Sequence, residues 1–228
     1  MADTRATRLQ LLQQQLRACR ACQDAGLLPR ANPVVGEQGL RKVLLLGQAP
    51  GVRSSAAGMP FAGPSGRVLE HWLQRAGFAP GALRRDIYLS SVTRCDPGRS
   101  ASGAGDRPPS EAERALCAHW WRSELALLRP RVVLLAGKLA IAEFYPPSQL
   151  EALVGTWRQE GECWLLPLPH PSGVSRWLND PAHHALVDNA LTQLAVWRVT
   201  LALDEPEPDL QSNGQQRPGR AGAKRGSP

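Results

Sequence analysis

The sequence predicts an α/β protein: a three-layer α/β/α arrangement around a central four-stranded parallel sheet. Three observations lead there. Short apolar runs rich in Val, Ile and Leu recur at 43–47, 86–93, 131–137 and 163–168, each bounded by Gly, Pro or polar residues. Runs of that length and composition read as strands buried on both faces. Stretches with helical apolar spacing lie between them, and strands alternating with helices give a parallel sheet covered on both sides. Finally, three of the runs lead into loops of Gly, Pro and small polar residues, at 47–66, 90–99 and 169–177. In a parallel sheet these loops open on the same edge, where open α/β sheets bind their ligands.

In chain order, residues 5–18 predict an amphipathic helix with Leu9, Leu12 and Leu16 on one face, closed by Cys19-x-x-Cys22. Residues 23–40 carry the Pro and Gly of a loop. The strand 43–47 runs into Gly47-Gln48-Ala49-Pro50-Gly51 and then Pro60-Phe61-Ala62-Gly63-Pro64-Ser65-Gly66. A helix is expected over about 65–77. Gly47, Gly51 and Gly63 allow backbone to approach a ligand closely, and Phe61 offers it a flat face. The strand 86–93 leads into Arg94-Cys95-Asp96-Pro97-Gly98, and 98–109 reads as an exposed loop. Ser110 with Glu113 forms a capping box, which predicts a helix over 111–128. After the third strand, 138–144 forms a short helix, 155–168 a hairpin ending in the fourth strand, and 181–202 the final helix. The expected domain is 1–203. From 204 to 228 the composition turns to Glu, Pro, Gln, Gly and Arg, which predicts a disordered basic tail.

The 228 residues suffice for one good-sized core. No stretch reaches the roughly 18 apolar residues of a membrane span, and the N-terminus lacks the apolar region of a signal peptide. The reading is a soluble, cytoplasmic, nucleoid-associated monomer with no membrane partner. A net charge of +7, carried mostly by Arg, favours a polyanionic partner, nucleic acid first. Five cysteines without a secretion signal argue against a disulfide framework. Thiolates of a C-x-x-C pair with two remote cysteines can hold either a [4Fe–4S] cluster or zinc. Cys163 lies in a strand pattern and reads as core. The loop 47–51 lacks the Lys-Ser/Thr pair of a nucleotide-binding P-loop, which argues against that class.

The loops resemble the motifs of the uracil-DNA glycosylase superfamily, most closely its iron–sulfur branch, families four and five. Gly47-Gln48-Ala49-Pro50-Gly51 is similar to the first motif, G-E-A-P-G. Gly58-Met59-Pro60-Phe61-Ala62-Gly63-Pro64-Ser65-Gly66 is similar to G-R-P-F-V-G-x-A-G. Tyr88-Leu89-Ser90-Ser91-Val92-Thr93-Arg94-Cys95 resembles Y-x-T-N-x-V-K-C, and His170-Pro171-Ser172 resembles H-P-S, extended by Gly173-Val174-Ser175-Arg176. The likeness runs in consistent order over residues 15–200.

That resemblance implies a DNA partner, single- or double-stranded and containing uracil, and a [4Fe–4S] cluster on Cys19, Cys22, Cys95 and Cys117, with zinc the alternative. It implies a flipped base stacked on Phe61 and read by the backbone around Gly47, Gln48 and Ala49. Ser91 stands where family four has a uracil-reading Asn, and a hydroxyl discriminates less than an amide. His170 is the expected catalytic donor to the leaving uracil, with Gln48 able to position water. Ser172, Gly173, Val174, Ser175 and Arg176 would hold phosphates and wedge into the duplex. The acid expected at position 48, at 49 or just after the Phe motif is missing, since Gln48, Ala49 and Pro64 are neutral. The expectation is therefore a monofunctional base-excision-repair glycosylase that leaves an abasic site. Without a lysine in the motif loops no lyase step is expected. Without a His in 98–109 no covalent capture of DNA is expected. The alternative is an inactive or catalytically weak binder that senses uracil-containing or damaged DNA.

Overall fold

The structure, a computed structural model, describes residues 4–36, 39–101, 105–172 and 176–207. Its centre is a five-stranded sheet in the order β2-β1-β3-β5-β4, formed by β1 (Val43–Gly47), β2 (Ile87–Ser91), β3 (Val132–Ala136), β4 (Arg158–Glu160) and β5 (Cys163–Leu168). Helices α1 (Arg5–Arg17) and α2 (Ala21–Asp24) precede β1. Helices α3 (Val52–Ala57), α4 (Pro64–Arg75) and α5 (Ala82–Arg85) join β1 to β2, and α6 (Glu111–Leu128) joins β2 to β3. Helices α7 (Lys138–Ala142) and α8 (Leu150–Leu153) precede the β4–β5 hairpin, and α9 (Pro181–Thr200) follows a 3₁₀ turn at Arg176–Asn179.

Four strands are parallel, as the sequence predicts. Val43 sits opposite both Ile87 and Val132, and Val132 opposite Trp164. Every residue of β1, β2 and β3 is buried, which is why these segments read as unbroken apolar runs rather than as alternating ones. The fifth strand differs from the expected four. β4 pairs antiparallel on the outer edge of β5 through a two-residue loop in which Gly161 takes φ +59°. That left-handed conformation is what such a loop needs at its first position. The Arg-Gln-Glu sequence of β4 puts polar side chains on the open edge, which discourages further strand pairing. β4 reaches only to Leu165, so Pro167 lies beyond the paired edge, where a missing N–H is tolerated.

The topology fixes where a ligand can bind. The chain leaves β1 toward β2 on one side, then returns across β1 to β3 on the other. Right-handed crossovers in opposite directions put their helices on opposite faces. α1 accordingly packs with α6, and α4 with α9. The strand order reverses between β1 and β3, and a crevice opens at the carboxyl ends of the strands at such a point.

Local signals set the helix ends. Ser110 accepts from the Glu113 N–H at 3.2 Å while the Glu113 carboxylate accepts from the Ser110 N–H at 2.6 Å, completing the capping box. Asp180 caps α9 by accepting from the Ala182 N–H at 2.9 Å, ahead of Pro181. Behind the sheet edge, Glu124 of α6 is fully buried and accepts from Tyr88 and Ser90 hydroxyls, both at 2.9 Å, and from the guanidinium of buried Arg94. Gln13 of α1 donates to Tyr88 Oη at 3.2 Å. This network ties α1, β2 and α6 together, and burial beside Glu124 pushes the Tyr88 phenol well above its ordinary range.

The described residues continue past 203 to 207. Arg198 pairs with Asp204 at 2.7 Å, and Arg5 with Glu207 at 3.2 Å. The rest of the predicted tail, 208–228, lies outside the described residues. Among the described residues no helix is long and apolar enough to cross a membrane.

Candidate active site

At the reversal point the loops after β1, β2 and β5, with Ala136 at the end of β3, surround a cavity of about 550 Å³. Gly47, Gln48, Ala49, Phe61, Ser91, His170 and Ser172 all line it. Three loops far apart in sequence thus meet, as their position after parallel strands requires.

Phe61 is held in place by backbone as much as by packing. It has φ +52°, a left-handed conformation that non-glycine residues rarely adopt. Its carbonyl accepts from the Arg84 guanidinium at 3.0 Å. Gly66, in the first turn of α4, lies directly against that carbonyl, so any side chain there would collide with it. A methyl group on Gly47 would come within 2.7 Å of the ring. Two glycines therefore make room for one aromatic side chain, which is half-buried with a face toward the cavity. Strained backbone persists where surrounding structure over-determines it, and such positions cluster at ligand sites.

His170 follows β5. Its Nδ1 lies 2.8 Å from Ser172 Oγ, and the Ser172 N–H donates to it at 3.3 Å. An Nδ1 that accepts leaves the ring proton on Nε2. Gly137, at φ +94°, brings the end of β3 against the imidazole, and a methyl group there would stand 3.0 Å from the ring. Burial lowers the His170 pKa below its ordinary value, so near neutral pH the ring is an uncharged Nε2–H donor. Ser172, expected from the sequence to hold a phosphate, here orients this ring. Gly173, Val174 and Ser175 lie outside the described residues, as does the side chain of Arg176. The segment is anchored beyond them: Trp177 stacks on His183 at 4.0 Å, and its indole N–H donates to Glu151 at 2.5 Å.

Ser91, at the end of β2, is buried and donates its hydroxyl proton to the Thr93 carbonyl at 2.7 Å. What it has left for a ligand is lone pairs. The Gly47 and Gln48 carbonyls are occupied by the N–H groups of Val92 (2.9 Å) and Thr93 (3.2 Å), which locks the loop after β1 against that after β2.

The sequence reading missed one residue of this cavity. Asp106 lines it and is the one carboxylate among its described lining residues. It comes from the loop 98–109, where an Asp between Gly and Arg is indistinguishable from a solvated loop residue. Asp96 and Asp180, the acids closest to the motifs in sequence, have structural duties: Asp96 accepts from the Gly98 N–H at 2.8 Å, and Asp180 caps α9.

The four predicted cysteine ligands also converge. Cys19 after α1, Cys22 in α2, Cys95 after β2 and Cys117 in α6 line a single small cavity of about 20 Å³, together with Leu28, Pro33 and Leu116. Burial raises the thiols of Cys22, Cys95 and Cys117, Cys95 to about 11 and Cys117 to about 12. Negative charge on neighbouring cysteines pushes Cys22 and Cys95 further in the same direction. Among the described residues no group of three His, Cys, Asp or Glu side chains closes around a single ion position. Cys163, on β5, lies half-buried away from this cavity and packs against the core.

Comparisons with known proteins point to one family. The profile of the uracil DNA glycosylase superfamily matches residues 34–195. The chain is 29% identical to a type-4 uracil-DNA glycosylase of Thermotoga maritima over 179 residues, covering 76% of this chain and 86% of that protein. It is 25% identical to a type-4 uracil-DNA glycosylase of Saccharolobus solfataricus over 176 residues, covering 73% and 76%. With the matched segment spanning every parallel strand and all three cavity loops, the chain belongs to the uracil-DNA glycosylase superfamily.

Proposed function

We propose that the protein removes uracil from DNA by hydrolysing its N-glycosidic bond, leaving an abasic site. The observation that carries this is His170 and Phe61 facing one cavity, the imidazole neutral with its proton on Nε2 and the aromatic ring held by strained backbone. A flipped base stacks on Phe61, which is how an enzyme reads a nucleotide it has taken out of the helix. The lone pairs of Ser91 and the loop at Gln48–Ala49 meet its polar edge.

As the C1′–N1 bond lengthens, its electron pair moves onto uracil and positive charge grows on the sugar. His170 Nε2–H donates to a uracil carbonyl oxygen where that negative charge accumulates. A preorganised neutral donor in a partly desolvated site stabilises it without first having to lose a proton. Removing one such donor costs about 10²–10³ in rate. The segment 172–176 follows the catalytic histidine directly, and its small polar residues around Val174 suit contact with the DNA backbone and the vacated base position. The basic net charge favours capture of DNA at low salt.

Cys19, Cys22, Cys95 and Cys117 would hold a [4Fe–4S] cluster, and the donor set fits. Four thiols line one small cavity, and a cubane takes its four thiolates at separate corners. Bound there, the cluster joins α1, α2 and α6 to the end of β2 and supplies structural cross-linking. Iron and acid-labile sulfide in the purified chain would be expected in equal amounts.

The test is excision itself. Oligonucleotides bearing one uracil, single-stranded or paired with G or A, are incubated with the protein, and abasic sites are cleaved with alkali. Cleavage that disappears in His170→Ala supports the proposal. Tight binding of uracil-containing DNA without any cleavage would replace it with a damage sensor.

A further inference from the structure

The missing acid of the first motif leaves the attacking water without an activator among the residues the sequence points to. We propose that Asp106, supplied from the ribbon between β2 and α6, is that activator. The inference rests on the uracil-excision reading.

Three observations support it. First, Asp106 lies against the first motif, with its Oδ2 2.6 Å from where a methyl group on Gly51 would stand. The bare glycine leaves the space that the carboxylate occupies. Second, the carboxylate faces the same cavity as Phe61, Gln48 and His170, and its side chain is about one-third exposed, so water reaches it. Third, the ribbon is built to hold it. Arg99 and Asp106 form an antiparallel bridge. The Ser100 N–H donates to the Gly105 carbonyl at 3.0 Å, and the Arg107 N–H to the Gly98 carbonyl at 2.9 Å. Arg107 then clamps Glu113 with two bonds of 2.7 and 2.6 Å, fastening the ribbon to the capping box of α6. Arg99 Nη1 stands 3.8 Å from Asp106 Oδ1, beyond hydrogen-bond distance, so the carboxylate keeps its lone pairs for water.

In the reaction, Asp106 accepts a hydrogen bond from a water on the sugar side of the flipped nucleotide. The C1′–N1 bond breaks with its electron pair leaving on uracil. The water oxygen bonds to C1′, and the proton it sheds passes to Asp106 and from there to solvent. Uracil takes up a proton on departure, so the products are free uracil and the C1′-hydroxyl of an abasic site.

The decisive experiment is single-turnover excision of uracil from an oligonucleotide by wild type, Asp106→Asn, Asp106→Ala and Gly51→Ala. Binding to DNA carrying a tetrahydrofuran abasic analogue is measured in parallel. General-base catalysis contributes about 10²–10⁴ in rate, so Asp106→Asn and Asp106→Ala should slow excision by about 100-fold with analogue binding unchanged. Added formate should restore part of the Asp106→Ala rate and none of a His170→Ala rate. Gly51→Ala, whose methyl group displaces the carboxylate, should slow excision in the same direction. Wild-type excision with the rate kept in Asp106→Asn overturns this inference alone. So does a joint loss of rate and binding that formate does not relieve, which would make Asp106 a strut of the ribbon. Wild-type protein that excises no uracil overturns the function and this inference together.

Discussion

The base cavity and the cysteine cavity share Pro97 in their walls and are built in opposite ways. Ser91 ends β2 in the first; Cys95 stands in the second. The base cavity holds about 550 Å³, is walled by loops after strands and contains a strained Phe61. The cysteine cavity holds about 20 Å³ and draws three of its four cysteines from helices or their ends. One is shaped to admit something large and transient; the other to be filled once and kept. Between them run Arg94, which lines the cysteine cavity, and its buried partner Glu124, which also holds Ser90 of the base cavity. Reactivity and reinforcement are thus separated by a single turn of chain, joined through a buried charge.

Breaking that joint should produce the largest effect. Glu124→Ala leaves the Arg94 guanidinium buried without its carboxylate, and truncating one partner of a buried pair costs about 3–5 kcal/mol. It also strips the acceptor from Tyr88 and Ser90. Both cavities should fail together: chemical denaturation should show the stability loss, and iron content and excision should fall in parallel. Retention of iron with loss of excision alone would mean the two regions are less coupled than the network implies.

Phe61 sharpens the contrast from the other side, because its loss should touch the base cavity only. Stacking of a base on an aromatic ring is worth about 1–3 kcal/mol, so Phe61→Ala should weaken binding of uracil-containing DNA by about 10- to 100-fold with iron content unchanged. Phe61→Gly separates ring from backbone. It loses the same stacking but relieves a left-handed conformation costing a side chain about 1–2 kcal/mol, so it should melt above Phe61→Ala while binding no better.

The sequence disclosed these two regions unequally. β1 and α6 were legible to the residue, because a doubly buried strand and a capping box each leave a local signature. The family resemblance singled out His170 and the four cysteines, and the structure brings them to the walls of the two cavities. The short helices α3 and α5 were not legible, since so short a helix has no period to read, and β4 was legible only as the first arm of the hairpin expected over 155–168. Asp106 was invisible for a different reason. Its place in the cavity comes from an ion pair between Arg107 and Glu113 and a bridge to Arg99, contacts that no spacing encodes. The same holds for Gly66, whose necessity follows from where Phe61 turns its carbonyl.

The smallest expected effect concerns the charge state of His170, and its sign follows from burial. Desolvation holds the folded-state pKa below the ordinary value of 6.5. Well above pH 6.5 neither folded nor unfolded chain protonates this ring, and its contribution to stability is fully present. As pH falls below that value the unfolded chain takes up a proton that the folded chain refuses, and stability is lost until the folded pKa is reached. Each unit of separation corresponds to about 1.4 kcal/mol, so the slope is modest. Denaturant titrations of wild type and His170→Gln between pH 7 and pH 5 should show the variant losing less stability on acidification. The cysteine cavity, which contains no histidine, should contribute nothing to that difference. Excision should hold its rate down to the folded pKa, because the donor that matters is the neutral ring. A rate that instead rose as the histidine became charged would show that the cavity uses an imidazolium, and that the burial of His170 works against its chemistry.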